Sequence, residues 1–218
     1  MATPALVSPL RPATASLGTE AALSAIAGVL DRVDHDGRKG LTGADRLELV
    51  RQARALASRV EALAVTLVAE ADAHAASMAT SGTPTSSWLA LDGATTAKEA
   101  AGLVFAGADT TRYEPVKDAA LAGEVAVSQA RAIAKSMGEL PTTLTDGQRD
   151  QAVGLFLQRG AGLPAGRIKK LAPAILAEVA PEAVPSLAEQ LDGLDAQRAR
   201  AFRRRGLSFT PDGDGSVL

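Results

Sequence analysis

The sequence predicts an all-α protein, a multi-helix bundle, on three observations. Alanine, the strongest helix former, is the commonest residue. Apolar residues recur at three- and four-residue spacing from Glu20 to Arg204, the period of one helix face. Aromatic residues make up only 3% of the 218, and Val, Ile and Thr do not alternate until the last dozen positions, so a core of small side chains on helices is expected.

Residues 1–18 are rich in Pro, Ala, Ser and Thr without periodicity and read as a disordered tail. A helical domain is expected over 19–205, with a truncated strand and turn over 206–218. The first helix runs from Glu20 to Val33, with Leu23, Ile26, Ala27 and Leu30 on one face, and "DHDGRKG" breaks it. One long helix follows at about 43–77, opened by Thr42 with Asp45 as a capping box. Its stripe of Val50, Ala53, Ala57, Val60, Ala64, Leu67 and Ala71, with Leu49, Leu56 and Leu63 alongside, needs a partner, either within the chain or in a homodimer. "SSWLAL" begins a short helix at Trp88. Further helices are expected at 96–107, 112–121, 128–138, Asp146–Arg159 and Pro164–Val179, with a last one over Leu187–Arg204. "LSFT" before "PDGDG" reads as a strand entering a turn at the C-terminus.

A unit recurs at an offset of 30. Leu91 matches Leu121, Gly93 matches Gly123, Ala100 matches Ala130 and Leu103 matches Ile133. Each copy is a short helix ending at a glycine, a brief link, an N-cap candidate (Thr96, Ser128) and a second helix. That is the outline of a helix-turn-helix element, and equally of a plain helical hairpin. On the second copy Ser128, Gln129, Arg131 and Lys135 face outward and could meet base edges or phosphates.

Net charge is -2, with no overall push towards nucleic acid or membrane, yet Arg198, Arg200, Arg203, Arg204 and Arg205 fall within eight residues with no acid between them. The acidic residues ahead of them, Glu178, Glu182, Glu189, Asp192 and Asp195, could instead neutralise that run. Arg159, Arg167, Lys169 and Lys170 form a weaker basic run. There is no cysteine, which excludes disulfides and thiolate chemistry. His35 among Asp31, Asp34 and Asp36 reads as a solvated loop, and His74 has no second ligand at helical spacing, so no metal site and no cofactor are expected. No Walker loop, dinucleotide fingerprint or nucleophile elbow occurs. Without a signal sequence or membrane span, the expected location is cytoplasmic.

Several of these segments carry a resemblance: Trp88-Leu89-Ala90, Glu99-Ala100, Ala120-Leu121-Ala122-Gly123-Glu124, Ser128-Gln129-Ala130 and Leu140-Pro141, with "RRRGLSFTPDGDGSVL" at the end. Over residues 20–218 the chain resembles domain-of-unknown-function family 222, the 13E12 repeat family, common in actinobacteria and phages. The resemblance implies a helical domain that precedes an HNH endonuclease domain. An HNH site needs a histidine base and a metal ion. With two isolated histidines and no cysteine, that site cannot be assembled from this sequence, so the chain is expected to be either a fragment that lacks the HNH half or a standalone relative without it, and not itself an enzyme. Two functions remain open: a module that binds or positions on duplex DNA, with an HNH nuclease domain as partner, or a protein-interaction and dimerisation module with no nucleic-acid role.

Overall fold

The computed structural model describes residues 17–34, 36–91, 93–184, 195, 198, 199, 201 and 202. These residues are helical and contain no strand, as expected. The strand and turn expected over 206–218 lie outside them, as does most of the helix expected over Leu187–Arg204. The chain divides into two compact units, residues 1–50 and 51–218.

In the first unit, helix α1 (Thr19–Leu30) starts after Gly18 and buries no side chain. The capping box that opens α2 (Gly43–Ala73) is formed as the sequence predicts. Asp45 N–H donates to Thr42 Oγ1 at 3.2 Å, and Thr42 N–H donates back to Asp45 Oδ2 at 3.2 Å.

In the second unit the long helix ends four residues before its expected terminus. Ala75 adopts φ 49° and ψ 33°, the left-handed region where a Cβ is strained, and the chain restarts as α3 (Ala76–Ser81). The packed face of α2 also differs from the expected seam. Ala62, Val65 and Thr66 are buried, whereas Ala53, Ala57 and Ala64 are exposed.

Three elements then lead to the centre of the core: α4 (Thr85–Leu89), α5 (Ala97–Thr111) and α6 (Glu114–Ala122). Helix α5 crosses α2 closely at Gly107. A Cβ there would stand 2.5 Å from the Val65 carbonyl oxygen and 3.1 Å from Ala69 Cβ. Helix α7 (Val127–Gly138) buries Val127, Ala130, Ala132, Ile133, Ala134, Ser136 and Met137, and packs against α5, α6 and α8 (Asp146–Gly160). Ile133 and Met137 meet Phe156, Ile168 and Ile175 in one apolar cluster.

The helix expected over Pro164–Val179 is interrupted. Helix α9 (Ala165–Ile168) passes into a 3-10 turn over Lys169–Leu171 before α10 (Ala172–Val179) begins. Pro173, in the first turn of α10, has no N–H to donate to the Lys169 carbonyl, so the α-helical ladder cannot run through.

Candidate nucleic-acid interface

The repeated unit is built alike where its two halves turn. Gly93 and Gly123 both take positive φ, 73° and 82°, which side chains rarely adopt, but only Gly123 caps a helix directly. Helix α4 ends at Leu89 with Ala90 as its C-cap, so the first copy's helix does not end at its glycine as expected. Thr96 and Ala126, 30 apart, are the N-caps of α5 and α7, with φ/ψ of -70°/156° and -78°/158°. Glu99 and Gln129 fold back alike: Thr96 N–H donates to Glu99 Oε2 at 2.9 Å and Ala126 N–H to Gln129 Oε1 at 2.7 Å. The sequence reading of Ser128 as the second N-cap is therefore corrected. An alanine stands there, and Gln129 supplies the cap through the residue's backbone. The leading helices differ, since α4 has five residues and α6 nine.

Helix α7 presents little to solvent. Ser128, Arg131 and Lys135, spaced by three and four residues, form one exposed row, and the flanking positions are buried. Gln129, expected in the same outward group, is half-buried and committed to the fold: its Nε2 donates to the Leu163 carbonyl at 2.7 Å, tying the start of α7 to the loop before α9. It is no longer available to a ligand. The reason is long-range, because that loop is 34 residues away in sequence.

Arg131 Nε donates to Asp109 Oδ2 of α5 at 3.1 Å, a half-exposed ion pair of the kind worth about 0–1 kcal/mol. Beside it lies a cleft of about 300 Å³ lined by Ser128, Arg131 and Lys135 of α7, Asp109, Ala165 and Gly166 of α9, and Lys169 of the 3-10 turn. Lys169 belongs to the basic run that sequence reading ranked as weaker. The break ahead of Pro173 gives the chain a tighter turn at that lysine, and the packing of α9 on α7 brings it to the cleft. A larger open groove of about 540 Å³ shares Ser128 and Arg131, and Glu61, Glu99, Leu103 and Val127 also line it. Thr96, whose N–H and hydroxyl both donate to Glu99, holds that carboxyl below its ordinary pKa.

Other cations of this unit serve the fold. Arg59 donates to the Leu121 carbonyl at 3.2 Å. Arg112 lies 5.9 Å from the centre of the Tyr113 ring. Arg149 donates to the carbonyls of Leu144 and Thr142, and Arg159 pairs with Glu178. Among the described residues, Lys135, Arg167, Lys169 and Lys170 form no ion pair or hydrogen bond through their side chains.

Of the C-terminal cluster, Arg198 is exposed and lies 3.4 Å from Asp195, while Arg200, Arg203, Arg204 and Arg205 lie outside the described residues, as does His35. Among the described residues, no group of three or more His, Asp or Glu is placed to hold a metal ion. No described helix is long and apolar enough to cross a membrane. Comparison with protein families, curated proteins and solved structures finds no match to this chain.

Proposed function

We propose that the chain is a non-catalytic helical module that holds duplex DNA by its phosphates and positions an HNH nuclease domain of the kind that family 222 precedes. The observation that carries the reading is the meeting of unpartnered Lys135 and Lys169 with Arg131 and Ser128 beside one cleft. The shape of α7 narrows the mode. A helix about 10–12 Å across enters a major groove about 12 Å wide only if much of its circumference is free. With seven of its residues buried, α7 offers a single row, which suits backbone contact and not base readout. The arginines at 198, 200 and 203–205 extend the same chemistry in sequence.

A salt titration of binding to random-sequence duplex DNA tests this. Each phosphate contact contributes about -0.9 to the slope of log K against log salt, independent of sequence, so a slope of about -0.9 or steeper is expected. A slope near zero would remove the reading. In this reading purified protein with Mg²⁺, Mn²⁺ or Zn²⁺ leaves the DNA intact, and metal-dependent nicking would contradict it.

A second reading rests on α2. Leu47 and Val50, three residues apart on one face, are 63% and 54% exposed on a helix whose buried positions begin only at Ala62. Solvated apolar side chains at that spacing suit a protein partner, including a second copy of this chain. A concentration-dependent increase in mass by sedimentation, with no DNA binding, would favour it.

A further inference from the structure

We propose that the cleft between α7 and α9 is a site for one phosphate group, gripped jointly by Lys135 and Lys169. This deepens the phosphate-binding reading above and rests on it. Arg131 and Lys135 of α7 and Lys169 beyond α9, 34 residues further along the chain than Lys135, line one small cleft with the Ser128 hydroxyl. The single carboxylate lining it, Asp109, is already bonded to Arg131. Glu139 lines the adjoining groove with Lys169 but forms no ion pair with it. The cleft therefore keeps two uncompensated ammonium groups. Like charges converging on one space repel, and an anion between them converts that repulsion into two attractions. Lysine suits the task, since it binds phosphate as a point charge with three donors.

Size and lining fix the class of ligand. About 300 Å³ is the low end for small-molecule sites, enough for a phosphate group and too small for a base pair. Ala132, Ala165 and Gly166 complete the wall, and with no aromatic ring among the lining residues a base has nothing to stack on. The ligand is recognised by its phosphate, whether a phosphodiester of DNA or free phosphate. Asp109 acts on the same site by holding Arg131 aside.

One shared phosphate differs measurably from two separate ones. Releasing one phosphate contact flattens the salt slope by about 0.9. Lys135→Gln, Lys169→Gln and the double variant are compared with Arg54→Gln/Lys98→Gln, which removes the same charge from residues that line no part of the cleft. The double variant is expected to flatten the slope for duplex DNA by about 0.9, little more than either single change, and the control to leave it alone. A shift near 1.8 in the double variant would mean two independent contacts and overturn the shared site. DNA binding in which the cleft variants match the control also overturns it, while the DNA reading survives on another surface. Inorganic phosphate, followed by amide shifts of Ser128, Lys135 and Lys169, separates the sources. Shifts there without DNA binding keep the site and remove the DNA reading. Neither shifts nor DNA binding removes both. Circular dichroism of each variant checks that the fold is retained.

Discussion

Replacing Gly107 by alanine should destabilise the protein, although alanine is the better helix former. At Gly107 a Cβ would lie 2.5 Å from the Val65 carbonyl oxygen and 3.1 Å from both the nitrogen and Cβ of Ala69. Two of those three atoms are backbone, so the two helices themselves must separate. Overfilling a packed site costs about 1–3 kcal/mol, against a propensity gain of about 1 kcal/mol, which leaves a net loss of up to about 2 kcal/mol. Gly102, on the same helix, is the comparison. A Cβ there meets nothing within 4 Å, so Gly102→Ala should gain about 0.5–1 kcal/mol. Urea unfolding followed by helical circular dichroism reads both variants. The expected difference is about 0.5–3 kcal/mol, or at roughly 2–4 °C per kcal/mol a melting gap of about 1–12 °C. If Gly107→Ala proves as stable as Gly102→Ala, α5 does not cross α2 at that glycine. The placement of Asp109, two residues on, would then fall with it.

Ala75→Gly should raise stability by up to about 1 kcal/mol, because glycine relieves a left-handed Cβ; a loss in the same urea experiment would show that the turn is not left-handed there. The Thr96–Glu99 box should be sensitive to acid. Hydrogen bonds from Thr96 lower the Glu99 pKa below 4.5 in the folded state, so its contribution is complete above that value and is lost as pH falls through the lowered one. The stability gap between the wild type and Glu99→Gln should accordingly shrink through that window, and a gap that widens on acidification would reverse the sign of the argument.

Local signals were legible and long-range ones were not. Thr42 with Asp45 three residues on marks the start of α2, and Asp45 N–H donates to Thr42 Oγ1 at 3.2 Å, so the expected and observed starts coincide at Gly43. The same logic misplaced the N-cap of α7. Ser128 is the residue type a cap favours, but the offset of 30 pointed to Ala126, and Glu99 aligned with Gln129 was the available clue. Pro173 likewise announced a break that a single helix over Pro164–Val179 ignored. Nothing local could have shown that Gln129 would bond Leu163 or that Lys169 would join Lys135, since both depend on how α9 packs on α7.

The repeat also decides less about function than its outline suggests. A helix-turn-helix reading requires the second helix of a copy to stand proud of the domain. Here the second helices, α5 and α7, pack on each other, and α7 is further enclosed by α6, α8 and α9. The turn chemistry of glycine and a folded-back cap is thus shared by two uses of the same unit, one that presents a helix and one that buries it. Burial of Ile133, Ala134 and Met137 assigns this copy to the second use. What α7 retains for a partner is charge along one row, and charge without a donor and acceptor pattern reads phosphates but not sequence. Placing Asn or Gln at Ser128 should for that reason leave sequence preference unchanged. A variant there that selects one duplex over another would return α7 to the groove.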